Sequence, residues 1–113
     1  MKLFNASGHP ISQPDLDVVG DFGKIVVPDL NPTDIQSVAK KVALAAAPYA
    51  EQGALIALPG MSVIALATVA TIHGIIGFWP RVAFAKQVDG RFTWLEENIL
   101  DLQAIRTSAR TLR

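Results

Sequence analysis

No cysteine occurs among the 113 residues. This excludes disulfides, thiolate zinc centres and a cysteine nucleophile. Neither sign of charge is in surplus: ten Lys and Arg offset ten Asp and Glu. Duplex DNA or RNA, held as a bulk polyanion, needs a basic face, so that partner class is disfavoured. A small nucleotide held by backbone amides is compatible with neutrality. Histidine is scarce. His9 and His73 lack HExxH-like spacing, so no metal site is expected. Gly8, Gly20 and Gly23 do not form GxGxxG, no glycine loop ends in a P-loop lysine, and Pro59-Gly60-Met61-Ser62 is not a GxSxG elbow. No cofactor is implied. The opening residues MKLFNASGHP lack the apolar core of a signal peptide, and a cytoplasmic protein is expected.

Apolar residues are plentiful instead. They make up 50% of the chain against 18% charged, so disorder is not expected. The length suits one domain, residues 1–113, with one core. So small a body has an unfavourable surface-to-volume ratio, and part of its apolar surface is expected to meet another copy, giving a homodimer or higher homo-oligomer.

The longest uncharged stretch runs from Gln52 to Pro80. It is not expected to cross a membrane. Pro59-Gly60 cuts it into pieces too short to span, and no Lys/Arg cluster flanks it. It reads as a buried strand at Ala54–Leu58, a turn at Pro59-Gly60, and a helix from Val63 to His73 that is apolar nearly all round. Ser62 is placed to cap this helix and Gly74 to end it in the left-handed conformation.

Elsewhere, Lys2–Ala6 predicts a strand that meets the turn Ser7-Gly8-His9-Pro10. Ser12, Pro14 and Asp15 predict a short helix burying Leu16 and Val19 and ending at Gly20 and Gly23. Lys24–Val27 is an unbroken β-branched run suited to a parallel strand. Asn31, Pro32 and Asp34 start a helix burying Ile35, Val38, Val42 and Ala46, which Pro48 and Gly53 close. Val82–Gln87 and Phe92–Leu95 form a hairpin about Asp89-Gly90. Glu96 and Glu97 open a last helix with Arg106, Arg110 and Arg113 at its far end, and Leu95, Ile99, Leu102, Ile105 and Leu112 as its buried stripe. The order β-α-β-α-β-α-β-β-α predicts an α/β fold. It would be a Rossmann-like, mostly parallel sheet with flanking helices and a C-terminal antiparallel hairpin strand.

In an open α/β sheet, ligands bind beyond the carboxyl ends of the strands. Three turns are expected there: Ser7-Gly8-His9-Pro10, Pro28-Asp29-Leu30-Asn31 and Pro59-Gly60-Met61-Ser62. The first and third each offer a glycine, a hydroxyl and a helix start whose free N–H groups suit a phosphate. The third has no nearby carboxylate to repel an anion. His9 is placed to donate to a phosphate, stack on a base or act as an acid–base, or else is a solvent-exposed turn residue. Asp29 either accepts from an adenine or ribose group or orders its turn. Arg81 is the cation nearest the apolar run, suited to a phosphate or a partner's carboxylate. His73 reads as a helix-end cation or a core histidine. Trp79 reads as a dimer anchor or a packed corner beside Pro80. Catalytic equipment is thin, so binding fits better than turnover.

Three segments carry a likeness: Asn5-Ala6-Ser7-Gly8-His9-Pro10; Pro59-Gly60-Met61-Ser62; and His73-Gly74 followed by Gly77 and Trp79-Pro80. With these, the chain resembles a family of small CRISPR-associated proteins from type III systems, single-domain Rossmann-like relatives of the CARF ligand-binding domains. The resemblance implies a cyclic oligoadenylate ligand, most plausibly cyclic tetra-adenylate, bound across the two-fold of a dimer. It places Ser7, Gly8, His9, Gly60, Met61 and Ser62 at that ligand. Some CARF-type proteins also cleave the ring. The few cations in the turns of this chain favour a sponge that sequesters the messenger over a ring nuclease. The alternative outside nucleotide binding is a structural or interaction protein.

Overall fold

The computed structural model describes residues 1–94 and 96–113. The chain runs β1 (Lys2–Asn5), β2 (Asp17–Asp21), α1 (Pro32–Glu51), β3 (Leu55–Ala57), α2 (Ser62–Ile76), β4 (Arg81–Ala83), β5 (Lys86–Val88), β6 (Arg91–Thr93), β7 (Ile99–Asp101) and α3 (Leu102–Ala109). Five strands form one sheet in the order β2-β1-β3-β4-β7. The first four are parallel, and β7 pairs antiparallel with β4. The fold is therefore α/β with a mostly parallel sheet, as the alternation of elements implies.

Alternation along the strands sorts side chains between two faces. Phe4, Ile56 and Val82 point to one face and pack with Val42, Ala43 and Ala46 of α1 and Val69 and Ile72 of α2. Leu3, Leu55, Ala57 and Ala83 point to the other, where among the described residues no α-helix packs on them. Trp94 and the segment holding Ile11 and Leu16 cover them instead. Gln13 fastens this cover: its side-chain amide donates to the Trp94 carbonyl at 3.0 Å and accepts from the Trp94 N–H at 2.6 Å. Among the described residues no helix is long and apolar enough to cross a membrane.

α1 begins as its caps dictate. The Asn31 side chain accepts from the Asp34 N–H at 2.8 Å, and Pro32 opens the first turn. It ends later than expected. Pro48 lies in its last turn, where one forfeited hydrogen bond is tolerated, and the helix continues to Glu51. Ala39, Val42, Ala43, Ala46, Ala47 and Ala50 form its buried face.

Four sequence expectations are corrected. The helix predicted after Ser12 is absent. Pro14-Asp15 makes a turn, and Asp17–Asp21 joins β1 as a parallel edge strand. A helix of two turns has little stability of its own, and the β-branched pair Val18-Val19 gains more from pairing. Gly20, expected to end a helix, sits inside the strand because a Cβ there would stand 2.8 Å from the Phe4 ring. Lys24–Val27 is not a strand: the free edge of β1 is already taken by β2, and Gly23, at φ +87°, turns the chain away. It runs as an irregular strap, with Ile25 against the core and Val26 63% exposed.

The cap positions of α2 are also displaced. Met61 rather than Ser62 is the N-cap, without a side-chain hydrogen bond, and Gly77 rather than Gly74 is the left-handed C-cap at φ +86°. Last, Glu96–Asn98 forms a short 3-10 turn and Ile99–Asp101 a strand before α3 begins under the Asp101 cap. The antiparallel edge strand is β7, and the hairpin β5–β6 about Asp89-Gly90 is a separate two-stranded sheet. Ile105 and Leu112 are exposed rather than buried. Leu95, predicted in the returning strand and the apolar stripe, lies outside the described residues.

Candidate functional site

β1 leads to β2 on one side, β3 to β4 on the other, and the carboxyl ends of β1 and β3 lie side by side. This reversal of direction leaves a crevice between the two outgoing turns, the usual ligand position in open α/β sheets. A hollow of about 340 Å³ opens there. Ser7, Gly8 and His9 line it from the turn after β1, and Pro59, Gly60, Met61 and Ile64 from the turn after β3 and the start of α2. The strap adds Lys24, Ile25 and Val27.

The first wall is held by Asn5, the last residue of β1, whose side chain is 1% exposed. Its Nδ2 donates to the His9 carbonyl at 2.7 Å and to Asp21 Oδ2 at 3.2 Å. Its Oδ1 accepts from the Ser7 N–H at 3.0 Å and from the Ser7 hydroxyl at 2.6 Å. The same hydroxyl accepts from the His9 N–H at 3.1 Å. Ser7 is therefore committed to shaping the turn, and its hydroxyl is not a spare ligand donor. Gly8 takes φ +81°, a conformation open to glycine at little steric expense, and its α-carbon faces the strap at Ile25. The His9 side chain is left exposed at the rim.

The second wall is a helix start. The leading N–H groups of a helix have no partner within it, and at α2 no side chain caps them. Gly60 has nothing within 4 Å of where a Cβ would stand, so the backbone is open to an incoming group. The lining carries a formal charge on Lys24, with His9 at the rim, and no carboxylate contributes. The helix dipole adds to a positive potential at this mouth.

The structure thus brings Ser7, Gly8, His9, Pro59, Gly60 and Met61 together. Ser62 is the first residue of α2 beside the hollow, outside its lining. Asp29 is exposed and does not line it. Arg81 begins β4 at the other end of the sheet, where its guanidinium donates to the Gly53 carbonyl at 2.8 Å. Lys24, Ile25 and Val27 escaped the sequence reading because their β-branched run reads as a strand. Gly23 just before them was the available signal for a turn.

Of the three segments that carry the resemblance, two meet at the hollow. The third lies at the far end of α2, about 22 Å away at 1.5 Å per residue. There the His73 ring stacks on Trp79, centroids 4.2 Å apart, and the Trp79 N–H donates to the Gln103 side chain at 2.9 Å. Trp79 is a packed corner. Among the described residues no three of His, Cys, Asp and Glu gather as metal ligands would. Comparison with protein families, with curated proteins and with solved structures yields no match to this chain.

Proposed function

We propose that the hollow binds a cyclic oligoadenylate, with cyclic tetra-adenylate the first candidate, and holds it without cleaving it. The observation that carries this reading is the meeting of two glycine-bearing turns and an uncapped helix start around a lining that has a lysine and no carboxylate. Such a mouth favours phosphate. Its volume sits near the lower end of the range of about 300–1,000 Å³ for small-molecule sites. A ring of four nucleotides needs more room, and a second copy related by a two-fold supplies it, so the ligand is shared by a homodimer. His9 is the one titratable side chain of the lining besides Lys24. Among the described residues the exposed His9 ring has no hydrogen-bond partner to orient it as a general base, which favours sequestration over a ring nuclease. The carry-over from the CRISPR-associated family to this chain supports the choice of an adenylate over other phosphate ligands, and it fits a cytoplasmic protein.

Calorimetric titration with cyclic tetra-adenylate, cyclic hexa-adenylate and linear tetra-adenylate tests this. The expected result is tight binding of the four-membered ring at one ring per two chains, with the nucleotide recovered intact. Lys24→Glu and Gly60→Asp should each weaken binding at least tenfold, about 1.4 kcal/mol, with an unchanged melting temperature. Unchanged affinity in both variants, or no heat with any of the three, defeats the proposal. Linear products in the recovered ligand would assign the site to a ring nuclease.

A further inference from the structure

α3 and the 3-10 turn that follows it, Arg110–Leu112, bury no residue. Ile105 is 50% and Leu112 85% exposed, and with Ala109 they recur at the four- and three-residue steps of one helix stripe. Arg106, Arg110 and Arg113 repeat the same spacing one position on, so an arginine row flanks the apolar one. A helix this short is marginal in water unless a face of it is covered. Among the described residues its first two are the ones engaged: Leu102 packs on the core and Gln103 accepts from Trp79.

The rest of the chain has the opposite charge. All ten acidic residues lie before Leu102, and three of the ten basic ones lie after it. Residues 1–101 therefore carry seven positive and ten negative charges, a net of −3, against +3 for residues 102–113. The distribution is polar in space as well. β7 leads directly into α3 at one edge of the sheet, and β2 forms the opposite edge. That edge strand and its approach present Asp15 and Asp17 with the exposed Val18; Lys2 is the one Lys or Arg beside them, opposite Asp17 on β1, and Asp21 is engaged by Asn5 and the Gly23 N–H. An edge strand also presents unpaired backbone groups.

We infer that the C-terminal helix of one copy docks on the β2 edge of the next, Ile105 and Leu112 meeting Val18 while the arginines face Asp15 and Asp17. The two surfaces lie on opposite edges of the five-stranded sheet, so the contact is head-to-tail rather than two-fold. None of the residues that make this contact lines the hollow, and it forms without nucleotide.

Light scattering of the nucleotide-free protein tests it. At low salt the average mass should exceed twice the 12.1 kDa of one chain and rise with concentration, and molar salt should collapse it as the charges are screened. Arg106→Glu with Arg110→Glu should abolish the rise, and so should Asp15→Lys with Asp17→Lys. An equimolar mixture of the two doubly substituted proteins should recover it, because each then meets a complementary end. If the edge variant fails to fold, by circular dichroism, the helix variant and the salt series decide alone. A mass independent of concentration and salt, or an assembly indifferent to the helix substitutions, overturns the inference. So does a lone monomer that binds anionic phospholipid vesicles through the arginines.

Discussion

Asn5 shows how one buried amide fixes a site without touching a ligand. It ends a strand, yet its four hydrogen bonds reach the first turn, Ser7 to His9, and the end of β2 at Asp21. Asn5→Ala leaves the Ser7 N–H and the His9 carbonyl without this partner. The His9 carbonyl keeps the Ser7 hydroxyl at 3.1 Å, so the Ser7 N–H is the buried group left unsatisfied; at about 1–3 kcal/mol for such a group, a loss of about 2 kcal/mol is expected in urea denaturation. Ligand affinity should fall with it, because the wall of the hollow is no longer held. Thr68 is the reverse case. Its hydroxyl is fully buried on α2 and has no hydrogen-bond partner. Thr68→Val removes an unpaired polar atom at nearly constant shape, and should raise stability by about 1 kcal/mol, read as a higher melting temperature. Neither role was legible in the sequence. Asparagine at a strand end and threonine in an apolar helix are common, and only the partners around them tell the two apart.

At the scale of elements, the long helices and the central strands were legible because local and global preferences agree there. α1 starts at the cap and proline that announce it, and β3 and α2 follow the uncharged run and its Pro59-Gly60 break. The misreadings fall between residues 12 and 27, where local signals compete with pairing. The β-branched run at Lys24–Val27 has the higher strand propensity, but β1 offers one free edge and Asp17–Asp21 occupies it. For the site this matters, since the strap carries Lys24 to the hollow. The ends of α2 were off by one residue at the start and three at the finish, and the finish is open to a direct test. Gly77 holds the left-handed C-cap, while Gly74 is an ordinary helical residue with open space where a side chain would stand. Gly77→Ala should therefore destabilise by about 1 kcal/mol and Gly74→Ala should stabilise by up to about 1 kcal/mol. Thermal melts of the two variants should shift in opposite directions.

For the whole molecule, the order of strands decides where a crevice can open, and two of the three turns that the sequence reading grouped meet at the hollow. The turn after the strap was misassigned with the strap itself: Asp29 is exposed and does not line the hollow, and Arg81 belongs to the other end of the sheet. Residues that a sequence lists as neighbours of one apolar run are thus separated by the full length of β4's crossover helix. Binding by the hollow and association through the C-terminal helix use different residues. Charge reversal at Arg106 and Arg110 should consequently leave the affinity for cyclic tetra-adenylate within twofold when measured at high salt, where any assembly is already dispersed.

The clasp of Gln13 on Trp94 joins positions 81 apart in sequence and closes the side of the sheet on which, among the described residues, no α-helix packs. A nascent chain can assemble β1 to β4 and both long helices on the ribosome, yet the underside of that sheet stays wet until Trp94 has emerged. The seal cannot form before Trp94 is made, and in a Trp79→Phe variant its closing should be visible as a blue shift in the emission of the remaining indole.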